Sequence, residues 1–222
     1  MTDRFEQHAF APPPDAREVI LVRHGASAPY VPGEDFSRID GHGDPPLAAA
    51  GEAQAERVAE RLTGEPLTAL FVPGLQRTAQ TAAPLAARSG LEPEVLRDLR
   101  EVHLGDWEGG EYRVRLARRD PVAYRMLQEE RWDVIPGAEP MEAFTARVKA
   151  GMEALLERVQ PGQVAAAFLH AAVIGELCRQ ATGSRPFAFI HVDNGSLSRL
   201  VVLGSGRWLL RSFNDVAHLT AG

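Results

Sequence analysis

Apolar residues along this chain fall into two patterns that alternate, short unbroken runs and longer series spaced by three and four. Val19-Ile20-Leu21-Val22 is an unbroken run ended by Arg23-His24-Gly25, the pattern of a strand covered on both faces, as in a parallel sheet. Residues 69–72 and 164–169 repeat it, and residues 95–99 give a third strand in chain order. Between the runs, residues 49–62 and 75–89 are alanine-rich and read as helices with Gly64 and Gly90 just past their ends. The clearest helix covers residues 139–159, where Met141, Phe144, Val148, Met152, Leu155 and Val159 share one face before Pro161-Gly162 stops it. Residues 173–181 give another, capped by Gly183. Residues 197–203 and 207–213 flank Gly204-Ser205-Gly206, a hairpin signature.

Strands alternating with helices imply an α/β three-layer sandwich. Its central sheet is expected to be mostly parallel, with one antiparallel strand from the closing hairpin and helices on both faces. Pro12-Pro13-Pro14 makes residues 1–16 a surface arm, leaving residues 17–222 as one domain. Residues 28–46, rich in Pro, Gly and Asp, read as a long loop of the kind that serves function. Residues 112–132 are polar, arginine-rich and read as helical without a clean apolar stripe, a small insertion around residues 111–135 lying over the pocket.

Composition narrows the picture. A chain of 222 residues, 45% hydrophobic and 24% charged, suits one ordinary α/β domain. The single cysteine, Cys178, excludes an internal disulfide and a cysteine metal cluster, and points to a reducing, cytoplasmic home. Asp3, Arg4 and Glu6 break up the start, which does not read as a secretory signal. No stretch reaches the roughly 20 apolar residues that cross a bilayer, so no membrane is expected. The net charge of −6 argues against nonspecific nucleic-acid binding. It also means that any anion site must gather its arginines at one point.

Ligands of open α/β sheets bind beyond the carboxyl ends of the strands. Arg23 and His24 end the first strand, Arg77 follows the second, Glu101 the third, and His170 ends the fourth. Two arginines can clamp phosphate oxygens through forked hydrogen bonds. Two histidines can supply a nucleophile and a further donor, and one carboxylic acid can protonate a departing alkoxide. Phosphoryl transfer needs little more than in-line positioning and charge neutralisation, so this set requires neither metal nor cofactor.

These segments resemble the histidine phosphatase superfamily, the phosphoglycerate-mutase-like proteins. Residues 21–27, Leu-Val-Arg-His-Gly-Ala-Ser, resemble its Arg-His-Gly signature, and residues 75–82 around Arg77 its second phosphate-binding segment. Leu99-Arg100-Glu101 with Gly105-Asp106-Trp107-Glu108-Gly109 resembles its acid-bearing segment, and residues 164–174 around His170 its second-histidine segment. Asp44-Pro45-Pro46-Leu47 with Gly51 and Gln54, and residues 214–219, also resemble family patterns. The resemblance spans residues 18–219. It implies that His24 attacks phosphorus, that Arg23, Arg77 and His170 hold the phosphate oxygens with a hydroxyl from Ser27, and that Glu101 serves as acid and then base. A general acid at neutral pH needs a raised pKa, which Arg97 and Arg100 would oppose if they faced the site.

The chain departs from the family's habits at Ala26, Tyr30, Pro73-Gly74 and Ala171, all of which bear on fine geometry and substrate. Asp40, His42 and Asp44, with His103 or Asp106, match no known metal-ligand spacing and read as a polar loop. The run Arg113, Arg115, Arg118, Arg119 reads as a solvated helix face rather than a seat for a substrate anion. Trp107 and Trp132 read as packing. The expected activity is metal-independent hydrolysis of a small phosphomonoester through phospho-His24. A phosphoglycerate-type mutase and a phosphate-binding module without turnover are the rivals. The partner is a small phosphorylated substrate, and the closing hairpin offers an edge through which a homodimer could pair.

Overall fold

The computed structural model describes residues 5–220. Strand β1 (Arg17–Arg23) leads to a two-residue-arm hairpin, β2 (Arg38–Ile39) and β3 (His42–Gly43), then to helix α1 (Ala49–Leu62) and strand β4 (Leu67–Val72). Helix α2 (Gln76–Ser89) and strand β5 (Pro93–Val95) follow, then α3 (Glu111–Ala117), α4 (Pro121–Glu129) and α5 (Met141–Leu156). Strand β6 (Val164–Leu169), helix α6 (Ala171–Thr182) and strands β7 (Leu197–Val202) and β8 (Trp208–Asp215) complete the order.

The six-stranded sheet runs β5-β4-β6-β1-β7-β8. β5, β4, β6 and β1 are mutually parallel, and β7 runs antiparallel to both β1 and β8, so β7 alone opposes the common direction. Alternation along the buried strands sorts residues onto two cores. Val19, Leu21, Ala165, Ala167 and Leu169 pack with α5 and α6 on one side. Ile20, Val22, Val164, Ala166 and Phe168 pack with α1 and α2 on the other. Runs apolar at every position are what a sheet covered on both faces requires.

Some elements differ from the sequence reading, each for a local reason. Residues 95–99 do not form a strand: β5 ends at Val95, and a single 3₁₀ turn, Arg97–Leu99, drives the fully buried Leu99 against α5. Residues 112–132 are largely helical as expected, divided into two helices. Arg119 takes a left-handed φ of 55°, Asp120 caps α4 through the Val122 amide at 2.8 Å, and Pro121 occupies the first turn, where its missing N–H costs nothing. Within residues 28–46 the loop carries the β2–β3 hairpin. The arm is exposed from residue 5 to residue 15, and Ala16 is buried. Phe10 lies under the Arg211 guanidinium at 4.0 Å. Residues 1–4 lie outside the described residues.

Candidate active site

The carboxyl ends of β1, β4 and β6 meet at the floor of a cavity of about 640 Å³. His24 follows β1, its amide bonded to the Leu169 carbonyl at 3.0 Å, so it is tied to the end of β6. Its carbonyl accepts from Asn194 Nδ2 at 2.9 Å, and the Gly25 amide donates to Thr81 Oγ1 at 3.0 Å. Gly25 and Gly51 are placed by close approach. A Cβ on Gly25 would run into the Gly51 carbonyl, and one on Gly51 into the Ala26 backbone. The first turn of α1 therefore lies directly against the loop that carries His24. Gln54, one turn on, accepts the Ala26 amide at 2.8 Å.

His24 is 6% exposed. Its Nδ1–H donates to the Gly25 carbonyl at 2.7 Å, which leaves Nε2 with a lone pair facing Arg77 Nε at 3.3 Å. Burial and the positive charges of Arg77 and Arg23 hold its pKa well below the ordinary histidine value. His24 is thus a neutral imidazole of defined tautomer, which is the nucleophilic form.

Arg77, in the first turn of α2, donates to the Gly43 carbonyl at 3.0 Å and pairs with Asp44 at 3.7 Å. Asp44 also accepts the Gln76 amide at 2.8 Å, so one buried carboxylate fixes both the start of α2 and the arginine it carries. Left-handed Gly74 (φ 92°) makes the turn before it, and the Pro73-Gly74 departure leaves Arg77 at the floor. Arg23 donates Nη1 to the Val192 carbonyl.

His170 caps α6 and is fully buried, its ring centroid 5.2 Å from that of His24. Neither of its ring nitrogens has a protein partner, and neither does Arg23 Nε. Buried polar groups are almost always hydrogen-bonded. Unpartnered buried nitrogens on the residue before His24 and on the ring beside it suit the binding of an anion.

Glu101 reaches the site after the 3₁₀ turn. Its carboxyl accepts from the Val102 amide at 3.1 Å and, more loosely, from the Ala172 amide at 3.4 Å. Desolvation raises its pKa, outweighing those hydrogen bonds and the pull of Arg77 and Arg23. Arg100 and Arg97 do not oppose this, because both bind Asp40, at 2.6 and 3.2 Å. Ser27 lies at the cavity wall, its hydroxyl oxygen accepting from Arg113 Nη2 at 2.7 Å.

Five of the six candidates named from the sequence, Arg23, His24, Ser27, Arg77 and Glu101, line the cavity, while His170 lies fully buried beside His24, and other residues join them. Glu108 accepts the Gly43 amide at 2.7 Å and the Leu104 amide at 2.9 Å, stapling the β3 loop to the acid-bearing segment. Both its oxygens are thus engaged by backbone, and Glu111 is held by Arg115 at 2.6 Å. Arg113 belongs to the wall rather than to a solvated face, bonding Ser27 and the Ala28 carbonyl and lying over Phe36 at 5.3 Å. In sequence it lacks an acid three or four positions away, but so do Arg118 and Arg119, so the pattern alone does not single it out. Trp107 and Trp132 are both core and cavity wall. The cavity is not uniformly cationic: Arg23, Arg77 and Arg113 face Glu101, Glu108 and Asp193. Asp40, His42 and Asp44 diverge to separate partners, Arg100, the Glu101 carbonyl and Arg77.

The profile of the histidine phosphatase superfamily (branch 1) matches residues 19–216. The chain belongs to that superfamily. Phosphoglycerate mutase-like protein 4 of Arabidopsis thaliana is 33% identical over 92% of this chain and 88% of its own. A protein named probable phosphoglycerate mutase, from Yersinia enterocolitica, is 31% identical over 91% and 94%. Among solved structures, a mycobacterial glucosyl-3-phosphoglycerate phosphatase superposes with a TM-score of 0.73 at 25% identity, over 90% of this chain and 99% of its own. The phosphoglycerate mutase of Bacillus anthracis, at 20% identity and a TM-score of 0.77 over 92% and 96%, shares the fold. This histidine phosphatase is accordingly an enzyme of the phosphohydrolase or mutase-like kind. Among the described residues, no helix is long and apolar enough to cross a membrane.

Proposed function

We propose that this enzyme hydrolyses phosphomonoesters of small molecules through a phosphohistidine on His24, without a metal. The observation that carries the reading is the state of His24. Its Nδ1 hydrogen is committed to Gly25 and its unprotonated Nε2 meets Arg77 at 3.3 Å, with the partnerless ring of His170 centred 5.2 Å away.

In the first step the Nε2 lone pair forms a bond to phosphorus as the bond to the ester oxygen breaks, and Glu101 gives its proton to the departing alkoxide. Arg23 and Arg77 neutralise the equatorial oxygens. His170, neutral in the free enzyme, has one N–H to offer, and a bound dianion favours its charged form. In the second step the Glu101 carboxylate takes a proton from water whose oxygen attacks phosphorus. The bond to nitrogen breaks, phosphate leaves, and Glu101 is protonated again. The raised pKa of Glu101 suits it to both duties. Ser27, with its oxygen already accepting from Arg113, keeps a hydrogen to donate to the phosphate.

The names of the curated relatives favour a second reading, in which phospho-His24 returns the group to a bound sugar acid. Phosphate release from a panel of phosphomonoesters in EDTA, beside His24→Ala, tests the first. Release that survives the chelator and is lost with His24 supports hydrolysis by this route. An isomeric phosphoglycerate without free phosphate points to the mutase.

A further inference from the structure

We propose that the alcohol half of the substrate is bulky and apolar, seated on a wall formed by α3, α4 and the segment at Ile190. The inference rests on the phosphomonoesterase reading and names its substrate class. The cavity of about 640 Å³ lies within the range of about 300–1,000 Å³ typical of sites for drug-sized ligands. A phosphoryl group with a three-carbon acid would fill only its floor. Much of the remaining lining is aromatic or aliphatic: Phe36, Tyr112, Leu116, Leu127, Trp132 and Ile190 face the same space. Leu116 and Leu127 are 37% and 44% exposed, yet both line this cavity rather than standing singly on the surface. Singly exposed leucines need no explanation, whereas several apolar side chains rimming one cavity mark a binding surface. The occupant is set by continuity, because the wall and the phosphate floor belong to one cavity. Glu101, the acid for the departing ester oxygen, lines that same cavity.

A polar alternative is disfavoured by the cations. Arg23 and Arg77 are at the floor, and Arg113, the remaining arginine of the lining, is engaged by Ser27 and Ala28 and stacked on Phe36. A substrate carboxylate placed against Leu116, Leu127, Trp132 or Ile190 would meet apolar carbon instead of a free guanidinium.

The test is kcat/KM for phosphate release along ethyl, butyl and hexyl phosphate, whose alcohols leave with similar difficulty, with glycerol 3-phosphate and 3-phosphoglycerate as polar counterparts. Each methylene that leaves water gains up to about fourfold, so a rise of about tenfold or more from ethyl to hexyl is expected, with hexyl phosphate above both polar esters. Leu116→Asp and Leu127→Asp, at partly exposed positions that should fold, are expected to cut the hexyl-to-ethyl ratio by about tenfold. A flat series, a preference for 3-phosphoglycerate, or an unchanged ratio in both variants would overturn the proposal. So would loss of a dimer in these variants at unchanged ratio, which would assign the wall to a second copy. Should no ester release phosphate, the phosphomonoesterase reading fails by itself. Calorimetric binding of the same series then decides this one, upheld by tightening with chain length and overturned by its absence.

Discussion

Arg77 and His24 stand 3.3 Å apart, guanidinium Nε to imidazole Nε2, with the arginine donating to the lone pair that would attack phosphorus. The contact keeps that nitrogen unprotonated and aims it at the floor, but it must be exchanged for a phosphate oxygen before reaction. The donor that holds the nucleophile at rest is thereby the donor placed to receive the charge that replaces it.

Replacing His24 by alanine is expected to lower phosphate release by at least about 10³-fold, since it removes the Nε2 lone pair that attacks phosphorus. Near-ultraviolet circular dichroism should be unchanged, because the loop is also held by Thr81, Gln54 and Asn194. Acid quenching of the parent during turnover should trap a phosphorylated chain that the variant lacks, and a variant that keeps the parent rate would refute the assignment.

Because burial raises the pKa of Glu101, its acid form persists to higher pH than an ordinary carboxyl. The rate should fall as pH climbs through that raised value. In Glu101→Gln this limb should vanish and kcat should drop by about 10²–10⁴-fold for alkyl esters, and by less for nitrophenyl phosphate, whose leaving group needs no proton. A limb that tracks the substrate's own phosphate pKa from one ester to another would belong to the substrate instead.

His24 and His170 both have pKa values depressed by burial and by neighbouring arginines. In the unfolded chain they bind protons below about 6.5, while the folded chain does not. Stability from both is therefore complete above about pH 6.5 and declines as pH falls toward the depressed folded values, by up to about 1.4 kcal/mol per pH unit for each group. Urea unfolding from pH 7.5 to 5.5 measures this, and His170→Asn should flatten the slope.

Asp44 is buried against Arg77, with side-chain exposures of 4% and 9%. Removing one partner of a buried pair strands the other, at a cost of about 3–5 kcal/mol. Asp44→Ala should approach that loss in thermal unfolding and raise KM about tenfold, because Arg77 loses its brace. Asp44→Asn, which can still accept the Gln76 amide, should recover part of the stability and less of the KM.

How much of this was legible in the sequence varied with the range of the force involved. Unbroken runs such as residues 19–22 and 164–169 declared a sheet covered on both faces, because burial on two sides leaves no position for a polar side chain. That Arg23, His24, Arg77 and Glu101 would line one cavity, with His170 beside His24, was legible because the order of segments after successive strands is a local fact of the chain. The strand expected at residues 95–99 was not, nor was the break that divides the helical residues 112–132 in two. There Leu99 answered to the core under α5, and Pro121 to helix geometry. Tertiary structure alone decided that Asp44 braces Arg77, that Glu108 staples Gly43, and that Arg113 turns inward. Each joins residues more than thirty positions apart through one directional contact, which leaves no periodic trace in sequence. The tautomer of His24 and the raised pKa of Glu101 were likewise decided by folding, because both depend on how much water the finished cavity excludes.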